Sequence, residues 1–264
     1  MLRILSLLFF ALTLWPTSAL AADVSLKTQD GTKIYASYNA VRSATKGVVL
    51  VHMSGRSSKD WRFLAEKLNQ AGLATIAMDL RGHGANVPEG ATPPVLTDAD
   101  YMAMTQDVAA AVAYLRTQGI KEVGLVGASL GASLALKVAS QDAAITNLVL
   151  LSPLMNQKGI DAAAALSEYG ARPVLIVVSK EDSAAAKAGL VLDSQAKGYH
   201  QLEVYDGAGN GTKMLNKAPG LEPLLVSWLL GTARLADDAP TGAGAAVSTG
   251  DTSAVQTTGK KLGE

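Results

Sequence analysis

Gly127-Ala128-Ser129-Leu130-Gly131 decides the fold of this chain. Before it runs Val123-Gly124-Leu125-Val126, an apolar stretch of strand length. After it comes Leu130-Gly131-Ala132-Ser133-Leu134, which opens a helical pattern lasting to about residue 140. A G-x-S-x-G between a strand and a helix reads as a nucleophile elbow, a turn so tight that Cβ atoms at its glycines would collide with neighbouring backbone. The serine stands at a helix start, where free N–H groups and the helix dipole favour developing negative charge. The same position also suits a serine that merely caps an ordinary helix.

Apolar runs and helical segments alternate on both sides of the elbow. Upstream, strands are expected over residues 24–28 and 33–40, joined at the hairpin dipeptide Asp30-Gly31, and then over 47–53 and 74–79. A helix over about 58–71 carries Trp61, Leu64, Ala65 and Leu68 at helical spacing, and a longer one covers about 98–118. Downstream, strands are expected over 147–151, 173–178 and 201–205, with helices over 159–169, 183–196 and 221–230. This alternation implies an α/β fold: a mostly parallel, twisted sheet of about eight strands with helices on both faces. The opening hairpin adds an antiparallel edge. Residues 152–172 leave room for one helix and not for a separate lid domain.

Hydrophobic residues form 48% of the 264-residue chain and charged residues 17%, which suits one large globular domain rather than a disordered polymer. Lys and Arg number 23 against 23 Asp and Glu, and no basic cluster lies on a helix face. Neither nucleic acid nor an anionic membrane surface is therefore an expected partner. Residues 1–21 read as a signal peptide: Arg3 charges the start, residues 4–14 are apolar, and Ala19-Leu20-Ala21 fits the small-x-small cleavage pattern, with Ala22 as the alternative last residue. The apolar stretch falls short of the roughly 20 residues that span a bilayer. The expectation is a periplasmic or secreted protein with no stable membrane insertion after processing. No cysteine is present, which removes disulfides, a thiol nucleophile and thiolate metal sites. Residues 22–231 are expected to form the domain. Residues 232–264, rich in Ala, Gly, Thr, Ser and Asp, are expected to form a disordered low-complexity tail.

Three further segments follow strands as the elbow does: His52-Met53-Ser54-Gly55, Asp79-Leu80-Arg81-Gly82-His83-Gly84 and Ser179-Lys180-Glu181-Asp182. With the elbow, they make the chain resemble the α/β-hydrolase fold family over roughly residues 23–230, in particular its small lidless branch of dienelactone-hydrolase-like and serine-esterase-like members. The resemblance implies Ser129 as nucleophile. It implies Leu130 N–H as one oxyanion donor and a backbone N–H of residues 52–55 as the other, Ser54 ahead of Met53. It implies Asp182 as the acid that orients the base, with Glu181 as the alternative, although an aspartate directly before a helix at Ser183 also suits a cap.

The same resemblance places the base, a histidine, in the Gly-rich loop after the eighth strand, where this chain reads Gly207-Ala208-Gly209-Asn210-Gly211. Asn210 can hydrogen-bond there, its amide donating to Asp182 and its carbonyl accepting from the Ser129 hydroxyl, but it lacks basicity near neutral pH. The chain has three histidines. His200 precedes the eighth strand and belongs at the opposite end of the sheet. His83 follows the fourth strand, on the far side from Asp182. His52 ends the strand beside the elbow and is the candidate substitute base. No cofactor or metal is expected, because Gly207-x-Gly209-x-Gly211 lacks the dinucleotide-binding spacing and the histidines have no ligand spacing. The expected function is an exported serine hydrolase of carboxylic esters or similar small acyl ligands, working through Ser129, Asp182 and Asn210 with proton transfer impaired. The alternative is a hydrolase scaffold that binds a ligand or partner without turnover, and a structural envelope protein ranks last.

Overall fold

Strands β1 (Ala21–Lys27) and β2 (Lys33–Asn39) turn at Asp30-Gly31, where Gly31 takes φ 84°, and pair antiparallel from Ala21↔Asn39 to Lys27↔Lys33. They open a computed structural model that describes residues 21–233. The expected signal peptide (residues 1–21) lies outside the described residues except for Ala21, and the expected tail (residues 232–264) except for residues 232 and 233. Next come β3 (Lys46–Val51), α1 (Arg62–Gln70), β4 (Ala74–Met78), α2 (Asp98–Thr117), β5 (Glu122–Ala128), α3 (Leu130–Gln141) and β6 (Ile145–Leu151). The chain then forms β7 (Asn156–Gln157), β8 (Ile160–Asp161), α4 (Ala162–Tyr169), β9 (Val174–Ser179), α5 (Ser183–Gln195), β10 (His200–Tyr205) and α6 (Leu221–Leu230).

Eight strands make one sheet in the order β1-β2-β4-β3-β5-β6-β9-β10. β2 pairs antiparallel with β1 and β4, and every pairing from β4 to β10 is parallel. The inner strands are apolar at nearly every position because both faces are covered. Val49, Val51, Leu125, Leu148, Leu150 and Ile176 face the core under α2, α3, α4 and α5. Val48, Leu50, Val126, Val149, Leu151 and Val177 face the other core, under α1 and α6. Each such fully buried side chain contributes roughly 1.5–3 kcal/mol of transfer free energy.

Three local expectations change. Residues 58–71 are not one helix: Ser58–Trp61 form a 3-10 turn before α1. The Asp79 carboxylate accepts from the N–H of Ser58 at 2.6 Å and of Ala85 at 2.7 Å, tying that turn to the loop after β4. Residues 152–172 hold no lid, but they add the β7–β8 hairpin ahead of α4, whose start is capped by Asp161 accepting from Ala163 and Ala164. At the C-terminus, α6 stops at Gly231 (φ 82°), and Ala233 still packs on the α6-side core, past the expected boundary at 231.

β3, β5, β6 and β9 all run in one direction, so their C-terminal ends gather at one edge of the sheet. In open parallel sheets this is the edge where binding and chemistry are built.

Candidate active site

Ser129 leaves β5 at φ 48° and ψ −111°, a backbone that side chains rarely adopt, and α3 begins at the next residue. Its N–H donates to Leu151 O at 2.8 Å, and its carbonyl accepts from Ala132 N–H at 2.9 Å and Ser133 N–H at 3.2 Å. A Cβ at Gly127 would stand 2.1 Å from Gly131 O, and one at Gly131 would stand 2.2 Å from Val51 O, so neither position admits a side chain. The Ser129 side chain makes no capping bond to α3, which separates it from a serine that merely ends a helix. Such backbone strain costs about 1–3 kcal/mol and persists only where the surroundings enforce it.

Gly131 also lies close enough to His52 O, 2.7 Å from an added Cβ, to set the segment after β3 against the first turn of α3. The N–H groups of Met53, Ser54 and Leu130 find no backbone acceptor among the described residues, that of Leu130 because it opens the helix.

His52 is fully buried and both of its ring nitrogens are engaged. Leu80 N–H donates to Nε2 at 3.0 Å, so the ring proton sits on Nδ1 and donates to Met53 O at 2.8 Å. Burial pushes this imidazole down to about 4, partly opposed by the bond to Met53. The expectation of His52 as substitute base is corrected on this geometry: no lone pair is left for the Ser129 proton. His52 is a strut between β3 and the segment after β4. His83 lies beside it, ring centroids 5.2 Å apart, with Nδ1 3.0 Å from Arg81 O. His200 opens β10 at the other end of the sheet, 3.8 Å from Asp193.

Asn210 is half-buried in the loop after β10 and precedes a 3-10 turn over Gly211–Asn216, to which its amide makes no capping bond. A Cβ at Gly211 would lie 3.5 Å from Ala128 Cβ and 2.8 Å from Met53 Sδ, so the loop rests against both the elbow and the segment after β3. The structure therefore brings residue 210 to the Ser129 end of the sheet.

Side chains from elsewhere hold this loop. Glu181 accepts from Gly207 N–H at 3.1 Å, from Gly209 N–H and from the Ser179 hydroxyl at 2.5 Å. Ser179 Oγ accepts from Ala208 N–H at 3.1 Å, and Ser152 Oγ from Gly211 N–H at 2.9 Å. Thr212 Oγ1 donates at 2.5 Å to Asp60, which Arg56 grips at 2.8 and 2.7 Å. The Ser179 hydroxyl, followed by the Gly209 N–H, draws the Glu181 carboxyl down to about 2. Asp182, expected to orient the base, is instead the cap of α5 and accepts from Ala185 N–H at 3.2 Å. A carboxylate directly before a helix has that helix's orphan N–H groups as its nearest donors. The carboxylate that meets the loop is Glu181's, and it meets backbone rather than the side chain of residue 210.

Ser152, Asp60 and Thr212 carry no distinguishing mark in the sequence, and Ser179 only a place at the head of the segment after its strand. The bond between Asp60 and Thr212 spans 152 positions, and no local pattern announces it. For Ser179 and Glu181 a signal existed, the two-residue spacing that lets the hydroxyl reach its own carboxylate. Among the described residues no group of three His, Asp or Glu could hold a metal ion, and no helix is long and apolar enough to cross a membrane.

A family model, described as the alpha/beta hydrolase family, matches residues 48–257. Comparison with curated proteins gives no match. Among solved structures the chain is similar to dienelactone hydrolase from Anabaena variabilis, at 22% identity and a TM-score of 0.63, covering 81% of this chain and 98% of that one. An esterase from Pyrococcus furiosus is 18% identical with a TM-score of 0.66, covering 81% and 91%. An esterase from Exiguobacterium antarcticum is 18% identical with a TM-score of 0.63, covering 79% and 100%. At these identities the likeness is one of fold.

Proposed function

The chain belongs to the alpha/beta hydrolase family, and from that membership we propose an exported serine hydrolase of carboxylic esters or related acyl compounds, slowed at proton transfer. The observation that carries this reading is Ser129, held at φ 48° between two glycines that cannot be replaced, with Gly211 of the loop after β10 packed against Ala128 of the elbow. Ser129 Oγ attacks the acyl carbon. The N–H groups of Leu130 and Ser54 receive the oxyanion, and the start of α3 favours the charge. The C–O bond then breaks, the leaving alkoxide takes its proton from solvent to depart as the alcohol, and water hydrolyses the acyl-enzyme.

The weak step is removal of the serine proton. Asn210 Oδ1 can accept a hydrogen bond but does not take the proton, which passes to solvent. Removing the imidazole from a serine hydrolase lowers kcat by about 10⁶, close to 8 kcal/mol, while oxyanion donors and binding still leave roughly 10³ over water. Export rests on the signal-peptide pattern of residues 1–21.

A second reading, a scaffold that binds an acyl ligand without turnover, draws on His52. With both ring nitrogens bonded, it offers no rescue of the missing base.

The test is fluorophosphonate labelling together with hydrolysis of short p-nitrophenyl esters, for the parent, Ser129→Ala and Asn210→His. The hydrolase reading expects slow labelling that Ser129→Ala abolishes and that Asn210→His accelerates by orders of magnitude. Labelling that persists in Ser129→Ala refutes the nucleophile. Ligand binding with no labelling in any of the three favours the second reading.

A further inference from the structure

The end of β6 touches both halves of the site. Leu151 O accepts the Ser129 N–H at 2.8 Å, and the Oγ of the next residue, Ser152, accepts the Gly211 N–H at 2.9 Å. Ser152 is 1% exposed and stands at φ 51°, with its own N–H donating to Val177 O at 2.8 Å. Its hydroxyl proton goes to Met214 Sδ at 3.4 Å, which leaves the oxygen lone pairs for Gly211. A left-handed backbone is a poor place for a buried serine, and glycine would relieve the strain there. What glycine does not supply is the hydroxyl.

We propose that Ser152 is a positioning residue: its turn and hydroxyl fix Gly211, and through it the side chain of residue 210, relative to Ser129. The other ties act elsewhere on the loop. Glu181 and Ser179 hold Gly207, Ala208 and Gly209, and Asp60 holds Thr212, whereas Ser152 bonds the residue directly after 210. One dipeptide, Leu151-Ser152, thereby sets the elbow and the loop on a common frame. The inference rests on the hydrolase reading only for its catalytic consequence; the anchoring of the loop stands on geometry.

Two substitutions separate position from stability. Ser152→Ala keeps the strained backbone and loses the hydroxyl, while Ser152→Gly loses both the strain and the hydroxyl. Each is made in the parent and in Asn210→His. Three quantities are measured: the thermal midpoint, amide hydrogen exchange over residues 207–212, and the fluorophosphonate labelling rate against pH. Both substitutions are expected to speed exchange at the loop and to slow labelling of the Asn210→His protein by about 10- to 100-fold, equally, with the pH profile flattened. The midpoint should fall for Ser152→Ala and hold or rise for Ser152→Gly. Labelling that follows the midpoint, lost in Ser152→Ala and retained in Ser152→Gly, overturns the positioning role. Unchanged exchange around Gly211 overturns the anchoring itself. Should Asn210→His fail to label at all, the hydrolase reading fails, and exchange alone upholds or overturns the anchoring.

Discussion

His52 makes folding depend on pH in a window where few other groups titrate. It is fully buried, its Nδ1–H donates to Met53 O, and its Nε2 accepts from Leu80 N–H. Protonation would set a second N–H against the Leu80 N–H inside a dry core, beside the His83 ring. Asp79 and Asp60 favour the charged form by their fields but do not overcome burial. The folded-state value is therefore about 4, against 6.5 for a free imidazole. Between these values the unfolded chain binds a proton that the folded chain does not, so stability falls as pH falls. A drop from 6.5 to about 4, at roughly 1.4 kcal/mol per pH unit, amounts to about 3 kcal/mol. The assay is urea unfolding of the parent and His52→Gln at half-unit steps from pH 4 to pH 8. Glutamine cannot titrate, and carboxylates common to both proteins cancel in the difference. The parent's advantage should be largest above pH 7 and shrink by about 3 kcal/mol on acidification to pH 4. An advantage that stays flat across this window, or grows as pH falls, refutes the buried neutral imidazole.

Four further outcomes follow from the same contacts. Gly131→Ala drives a Cβ to 2.2 Å from Val51 O and 2.7 Å from His52 O; because backbone cannot yield as a side chain does, urea melts should show a loss of about 3 kcal/mol or no folding. Arg81→Ala strands the fully buried Asp107, which Arg81 now holds at 2.6 and 2.9 Å; the expected cost is about 3–5 kcal/mol, and the double change Arg81→Met with Asp107→Leu should cost less in the same melts. Glu181, depressed from 4.5 to about 2, holds the amides of Gly207 and Gly209 fully above its unfolded value and releases them as pH falls through about 2; exchange at those two amides, scaled to the unfolded rate, should rise on acidification, and Glu181→Gln should show the rise already at pH 7. Asn210→His should move stability by no more than about 0.5 kcal/mol in urea, because the side-chain amide of residue 210 makes no capping bond to the turn that follows it.

What sequence made legible is what both faces of a parallel sheet impose. Strands such as β3, β6 and β9 read as apolar runs because two cores claim alternate side chains, and the elbow reads as glycines because backbone lies 2.1–2.2 Å from where their Cβ atoms would be. Legibility ends where a side chain has two partners to choose from. Asp182 and Glu181 are neighbours, and which one meets the loop depends on where α5 begins, since the residue before it is taken by Ala185 N–H. His52 looks like a base until Leu80 N–H, 28 positions on, fills its second nitrogen. Ser152 takes φ 51° without being glycine, so no residue type marks it. The two-residue strands β7 and β8 are too short to show a period.

The loop after β10 separates shape from basicity. Residues 207, 208, 209, 211 and 212 are each tied to another element, and every tie uses a backbone N–H or the Thr212 hydroxyl. The side chain of residue 210 makes no capping bond, so these ties do not run through it. Oxyanion donors act by position and need no proton transfer, so their part of catalysis does not depend on residue 210. On the proposed hydrolase reading, general-base catalysis depends on it wholly, because an amide does not take up a proton at neutral pH. On that reading the two contributions divide at one atom, the nitrogen that a histidine would present and Asn210 does not. This division is why a single substitution at residue 210 is informative: with the frame held by other residues, a change in labelling rate measures proton transfer and not refolding of the site.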